Sequence, residues 1–296
     1  MRTNPSTKRS IIFLASGIGL FLSSTPSLHA QFPGLNQAEV KVSATFSGKS
    51  EIEGLGSAFS SSQWKLSTPL FYKKGDAFLF AGTFGYTLTN LEFNKSISGM
   101  NIDSLHEFQA SLVAMLEINE KWKSLIMVAP SHASDLEDFD GDGMSYFSIL
   151  AALYQVNPNL GLVLGAFQST GYDEDRILPA LGLRWTPSEK MELLIAGPQV
   201  SFLYKPSQNS SYSIFSGIQG TRWNTVSGGD ESDLRLRGFF AGLGLERKIT
   251  GNINFSLDVG AQFLRELEIR NSAGAILLDK DVKEEPFIRT GLSYRF

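Results

Sequence analysis

The chain ends on Pro286-Phe287-Ile288-Arg289-Thr290-Gly291-Leu292-Ser293-Tyr294-Arg295-Phe296. Successive side chains of an extended chain point to opposite faces, so Ile288, Leu292, Tyr294 and Phe296 share one side and the stretch stops on an aromatic ring. The same period of two recurs upstream. Phe78, Phe80, Phe84, Tyr86 and Leu88 oppose Thr83, Thr87 and Thr89. Phe108, Ala110, Leu112, Ala114, Leu116 and Ile118 alternate with Gln109, Ser111 and Glu117, and Ile253, Phe255, Leu257, Val259, Ala261 and Phe263 with Asn254, Ser256, Asp258 and Gln262. This pattern predicts strands with one oily and one wet face. Near Gly238 the phase changes. Leu234 and Leu236 oppose Arg235 and Arg237, whereas Phe239, Leu243 and Leu245 run in phase with the arginines; a one-residue bulge at Gly238 would bring both halves onto one face.

A soluble sandwich also alternates, and two features argue for lipid instead. Tight turns at Asn119-Glu120-Lys121, Asn157-Pro158-Asn159, 187–190 and Thr250-Gly251-Asn252 are interleaved with longer polar breaks at 131–144, 169–175, 226–233 and 270–285. Short turns at one rim and long loops at the other suit a membrane barrel. Trp122 follows one tight turn and Trp185 precedes another, where rings sit at a membrane–water boundary. In these respects, and above all in its last strand, the sequence resembles the bacterial outer-membrane β-barrel proteins. More narrowly it resembles one of the uncharacterised barrel families, a domain of unknown function. The resemblance implies that Leu292, Tyr294 and Phe296 form the signal read by the barrel-assembly machinery. It also implies the bacterial cell outer membrane as location and outer-membrane lipids, including lipopolysaccharide, as partners.

A sheet spanning hydrocarbon must have no free edge. Candidate strands fall at 38–47, 63–73, 77–92, 104–118, 122–130, 145–156, 160–168, 176–186, 190–196, 199–205, 211–225, 234–248, 252–269 and 286–296. If the pair from Met191 to Lys205, split by Gly197-Pro198, does not span, two are lost. The expected fold is all-β, a transmembrane antiparallel up-and-down barrel of 12–14 strands. Its wet face carries charges of both signs. Arg184, Arg235, Arg237, Asp258, Glu266 and Arg289 are the expected lumen-lining residues, with Arg235, Arg237 and Arg289 paired to Glu266, Glu268 and Asp258 across neighbouring strands, because confined charges are costly alone.

Composition agrees. The 296 residues are 42% apolar and 19% charged with no Cys, which excludes a disulfide scaffold, a thiolate metal site and an amino-terminal lipid anchor. Lys8 and Arg9, the apolar run Ile11 to Leu22 and Leu28-His29-Ala30 read as a secretory signal cleaved after Ala30. Removing Arg2, Lys8 and Arg9 from 26 basic residues leaves 23 against 30 acidic, formally −7, a balance that does not suit nucleic acid. The barrel is expected to take up all of residues 31–296, leaving no room for a plug or a second domain.

Two motifs carry possible chemistry. Asp138, Asp140 and Asp142, with Asp135 and Glu137 nearby, match the opening of a calcium loop, but the twelfth position is Ile149 where a bidentate Glu is needed. A solvated acidic loop is the favoured reading, and a looser cation site the lesser one. His132 and Ser134 stand two apart, on one side of a strand, as a base and a nucleophile would. They resemble the His-x-Ser pair of the outer-membrane phospholipase and lipid A deacylase families. Those families place an orienting Asn or Glu about fourteen residues on, where this chain has Tyr146. The expected role is a passive channel or wall protein without catalysis or cofactor; the alternatives are a lipid hydrolase using His132 and Ser134, or an adhesion or ligand-binding protein acting through its loops.

Overall fold

The alternating segments fold as strands, each antiparallel to its neighbours along the wall. The structure, a computed structural model, describes residues 38–95, 97, 104–137, 143–170, 176–197, 199–227 and 230–296. In chain order the strands are β1 (Glu39–Ser47), β2 (Ser50–Ile52), β3 (Ser57–Lys74), β4 (Phe78–Phe93), β5 (Ser104–Glu117), β6 (Trp122–Ser134), β7 (Met144–Asn157) and β8 (Leu160–Thr170). There follow β9 (Arg176–Ser188), β10 (Met191–Ala196), β11 (Gln199–Ser207), β12 (Ser210–Ser227), β13 (Asp230–Thr250), β14 (Ile253–Asn271), β15 (Ile276–Val282) and β16 (Glu285–Arg295). From β3 to β14 each strand pairs with the next, β14 pairs with β16, β16 with β1, and β1 with β3, which closes a barrel of 14 strands. The short pair β10 and β11 is part of the wall, so the larger of the two expected counts holds.

The two remaining strands prolong the seam. β2 continues β1 and β15 precedes β16, and Val282 meets Ile52 where they join. At this rim Lys283 donates to Glu51, which holds the Glu51 carboxyl below its usual range and the Lys283 ammonium above its own. The breaks expected at 131–144, 226–233 and 270–285 are narrower than their polarity suggests. Strand extends to Ser134 in β6, resumes at Asp230 in β13 and runs through Ile276–Val282. Beyond the apolar band a strand no longer needs an oily face, so composition stops marking it.

The opposite rim is made of tight turns. Asn119 Oδ1 accepts from the N–H groups of Lys121 and Trp122, each at 3.0 Å, and Asn157 Oδ1 from that of Asn159 at 2.9 Å, so these side chains satisfy the backbone where the ladder ends. Leu112, Leu150, Leu164, Leu181, Ile214, Leu243, Val259 and Leu292 are exposed on the outer wall. Trp122, Trp185, Tyr204, Tyr212 and Tyr294 ring it near the short-turn rim, with Trp122 and Tyr154 packed at 4.6 Å between centroids.

The phase change near Gly238 has a different origin from the bulge expected there. β12 and β13 stay in register from Ser210↔Arg247 to Ser227↔Asp230 without a break. The extra residue lies on β14, where Arg237↔Glu266 is followed by Phe239↔Phe263 and Leu264 takes a φ of 50°. This bulge turns Arg265 inward, and Gly238 makes room for it: a Cβ at Gly238 would lie 2.6 Å from Arg265 Cγ and 3.1 Å from its Cα. Gly238→Ala is therefore expected to lower stability by about 1–3 kcal/mol, the usual cost of overpacking, measured as a shift in the urea midpoint of the refolded barrel. An unchanged midpoint would show that β14 gives way freely.

Candidate functional site

The inner wall has two halves of opposite character. Around the seam it is charged. At the short-turn rim Arg295 bonds Glu39 and Glu246, each at 2.8 Å. Higher up, Arg289 stands 3.6 Å from Asp258 and donates to Thr45 Oγ1 at 3.2 Å. Lys41 and Lys65 share this inner face with them, on β1 and β3, as Glu107 does on β5. Across the lumen the wall from β5 to β10 is apolar. Leu125, Ala129, Phe147, Ile149, Phe167 and Ala180 pack as one cluster with Val113, Met127 and Leu178 against it. Lower on that side Arg184 bonds Glu192 at 3.1 Å.

Toward the long-loop rim the lumen is filled. Phe59, Leu91, Leu105, Trp223, Leu234, Leu267, Ile269 and Val282, drawn from strands all around that end, form a continuous apolar layer. Two ionisable groups lie inside it. Arg265 Nη1 is 2.7 Å from Glu285 Oε1, with side-chain exposures of 1% and 0%, and the contact lacks hydrogen-bond alignment. The guanidinium also donates to Ser50 Oγ at 3.1 Å and lies over the Phe59 ring at 5.2 Å. Nothing in the composition singled out this pair. Its one sequence trace is the run Phe263-Leu264, two adjacent apolar residues where the period of two demands a polar one.

The same end is narrowed by a contact between strands that are not neighbours in the wall. Ser134 of β6 pairs in parallel with Asn224 of β12. Asp135 N–H donates to Asn224 O at 3.2 Å, and Asp135 Oδ2 accepts from Val226 N–H at 2.7 Å. Asp135 thus ties β6 to β12. Asp138, Asp140 and Asp142 lie outside the described residues.

Of the six residues expected in the lumen, Arg184, Asp258 and Arg289 lie on the inner wall. Arg235, Arg237 and Glu266 do not. Because β13 carries no bulge, Leu234 and Leu236 keep the inner face and the arginines stay in phase with Phe239 and Leu243 on the outer one. Near the long-loop rim they form a charged ladder. Arg235 bonds Glu268 at 3.4 Å, Arg237 bonds Glu266 at 2.7 Å, and Arg270 also reaches Glu268 at 2.7 Å. The pairing expected across strands is thus present, Arg289 with Asp258 included, but most of it stands outside the barrel. Glu266, Glu268 and Asp279 bring carboxylate oxygens within 4.8 Å of one another, and the three arginines already bond two of them.

His132 and Ser134 project to one side of β6, as their spacing requires, and both are buried. Ser134 Oγ accepts from Leu136 N–H at 3.2 Å. Tyr146, at the position of the orienting residue, pairs with Pro130 and faces outward.

A family model described as a domain of unknown function, DUF6268, matches residues 28–295. The chain belongs to the DUF6268 family. No curated protein matches it. Among solved structures the DUF6268 barrel is similar to the COG4313 outer membrane channel from Pseudomonas putida F1, with 11% identity over 88% of this chain and 96% of that one and a TM-score of 0.50. It is also similar to the translocator domain of the autotransporter NalP from Neisseria meningitidis, at 15% identity, 98% and 95% coverage and a TM-score of 0.38. The toluene transporter TodX from P. putida matches at 10% identity, 92% coverage of each chain and a TM-score of 0.41. At such identities the likeness concerns the fold. The DUF6268 chain folds as a closed barrel of the outer-membrane type.

Proposed function

We propose that this DUF6268 protein is a passive outer-membrane channel for small solutes, exported on residues 1–30, assembled through its Leu292-Tyr294-Phe296 strand end and without catalysis. The observation that carries the reading is the inner wall around the seam. Lys41, Asp258, Arg289, Lys65 and Glu107 share one face of neighbouring strands. Charges confined in a closed core cost several kcal/mol each, so a charged inner face at these positions favours a wetted lumen. The exposed apolar outer wall and its aromatic girdle support a bilayer around it.

The hydrolase reading gains nothing from the site. Ser134 shares the outer-face phase of β6 with Ile126, Val128 and Pro130, yet it is buried at the β6–β12 contact and its hydroxyl accepts from Leu136 N–H, so it is closed to lipid arriving at the outer wall. Planar-bilayer conductance tests the channel. The wild-type barrel, filled at its loop end, is expected to give small current steps that grow when the apolar layer is thinned. No current from either protein would remove the channel reading and leave the barrel standing.

The bilayer itself is tested by one substitution. Leu150 stands mid-strand on the outer wall and is 62% exposed. Leu150→Arg is expected to cost about 2–4 kcal/mol for the barrel refolded in vesicles, since that is the price of an arginine facing lipid near the midplane. Leu150→Ala should cost much less. Equal urea midpoints for the arginine and alanine variants would contradict a lipid covering.

A further inference from the structure

The wall has a gap. β10 is only six residues long, and its crest at Gly197 is well below the ends of its neighbours. β9 pairs with β10 from Gly182 to Ser188, and Gly197 N–H donates to Leu181 O at 2.9 Å, but above that the β9 edge from Arg176 to Ala180 has no strand partner among the described residues. The facing edge of β12 is likewise unpaired from Gly217 to Trp223, between its last contact with β11 at Ser216 and its meeting with β6 at Asn224. The β6–β12 contact roofs this gap and the β10–β11 crest floors it.

On the channel reading, on which this inference rests, the gap opens within the bilayer. Six residues rise roughly 20 Å along a strand, or about 15 Å in height at the usual tilt, which is a little over half of an apolar band about 25 Å tall. Unpaired N–H and C=O groups facing hydrocarbon are tolerated only where they line a cavity or are covered by protein. Behind the gap lies the apolar half of the inner wall, with Phe147, Phe167, Leu178 and Ala180. At the crest Gln199 is 2% exposed, and its Nε2 has no hydrogen-bond partner among the described residues. It lies against β12, since a Cβ at Gly217 would be 3.0 Å from Gln199 Cγ. A buried donor without an acceptor among the described residues, set beside an apolar inner wall, suits a ligand that is mostly apolar and brings one acceptor.

We propose that this gap is a side doorway between the lumen and the outer leaflet, for small, uncharged, mostly apolar solutes that carry a hydrogen-bond acceptor. The filled loop end leaves such a solute no straight path along the axis, and the apolar inner wall leads it from the lumen to the gap. Gln199 is its positioning residue, offering Nε2 to the acceptor as the solute passes the crest.

The chain has no cysteine, so a single thiol can be placed at the gap without background. Leu178→Cys, made in the full barrel in a lipopolysaccharide-bearing outer membrane, is treated after folding with a bulky methanethiosulfonate reagent, then with reductant. The probe is prodan, a naphthalene ketone whose emission reports its arrival in phospholipid. Expressing the untreated barrel should speed prodan arrival several-fold over cells without it; the reagent should remove that gain and the reductant restore it. In parallel, Gln199→Leu should cut the gain roughly threefold to tenfold, the worth of one hydrogen bond, for prodan but not for its ketone-free analogue. A prodan gain that survives the reagent would place the route elsewhere and overturn the doorway. So would the absence of any gain while the barrel with a thinned apolar layer carries ionic current, which leaves the channel reading intact. Absence of both prodan gain and current would end the two together.

Discussion

Glu285→Ala is expected to destabilise the refolded barrel by about 3–5 kcal/mol, the cost of breaking a buried ion pair by removing one partner. The reason is Arg265. With its carboxylate partner gone, its guanidinium remains in the apolar layer against Phe59 with, among the described residues, only Ser50 Oγ to accept from it. Replacing both residues, Arg265→Met with Glu285→Leu, should recover most or all of the loss, because a pair of this kind often does no better than well-packed apolar side chains of similar volume. Urea titrations of the two single variants and the double one in the same vesicles measure this directly. If Glu285→Ala unfolds at the wild-type midpoint, water reaches Arg265 and the layer does not seal the barrel.

The second large effect concerns passage. Trp223 and Phe59 reach into the layer from β12 and β3, which lie far apart around the wall. Truncating both, Phe59→Ala with Trp223→Ala, removes two of its largest side chains and should raise single-channel conductance several-fold over wild type. Each truncation should cost about 3–5 kcal/mol of stability, so the folded fraction has to be verified by the mobility shift of unheated samples before the currents are compared. A folded double variant that conducts no better than wild type would place the barrier elsewhere along the lumen.

Much of this barrel is legible from one observation, the period of two. It locates the strands of the closed wall to within a few residues, except that β3 begins six residues before its expected start, because each presents an oily outer face and breaks at turn-forming residues such as Asn119, Asn157 and Gly251. The same rule fails where its cause is absent. Above the apolar band the outer residues are no longer apolar, so β15 and the upper parts of β6 and β13 read as polar breaks. There, too, the inner face is the oily one, filled by Leu234, Leu267 and Ile269, while Arg235 and Arg237 turn outward. Assigning every charge to the lumen applied to the loop end a rule that holds at mid-barrel. The bulge at Leu264 and the meeting of β6 with β12 depend on residues far apart in sequence, and a local pattern does not encode them.

The four tryptophans offer the most direct check that lipid covers the oily face. Trp64, Trp122 and Trp185 are 49%, 37% and 47% exposed on the outer wall, the first far from either rim and the other two near the short turns, whereas Trp223 is 4% exposed inside the apolar layer. In barrels that each retain one tryptophan, refolded into brominated phosphatidylcholine, Trp64 should be quenched most by bromine deep in the acyl chain. Trp122 and Trp185 should respond most to bromine near the headgroup, and Trp223 hardly at all. Four tryptophans indifferent to bromine, or a Trp223 quenched as strongly as Trp64, would contradict the lipid-facing barrel.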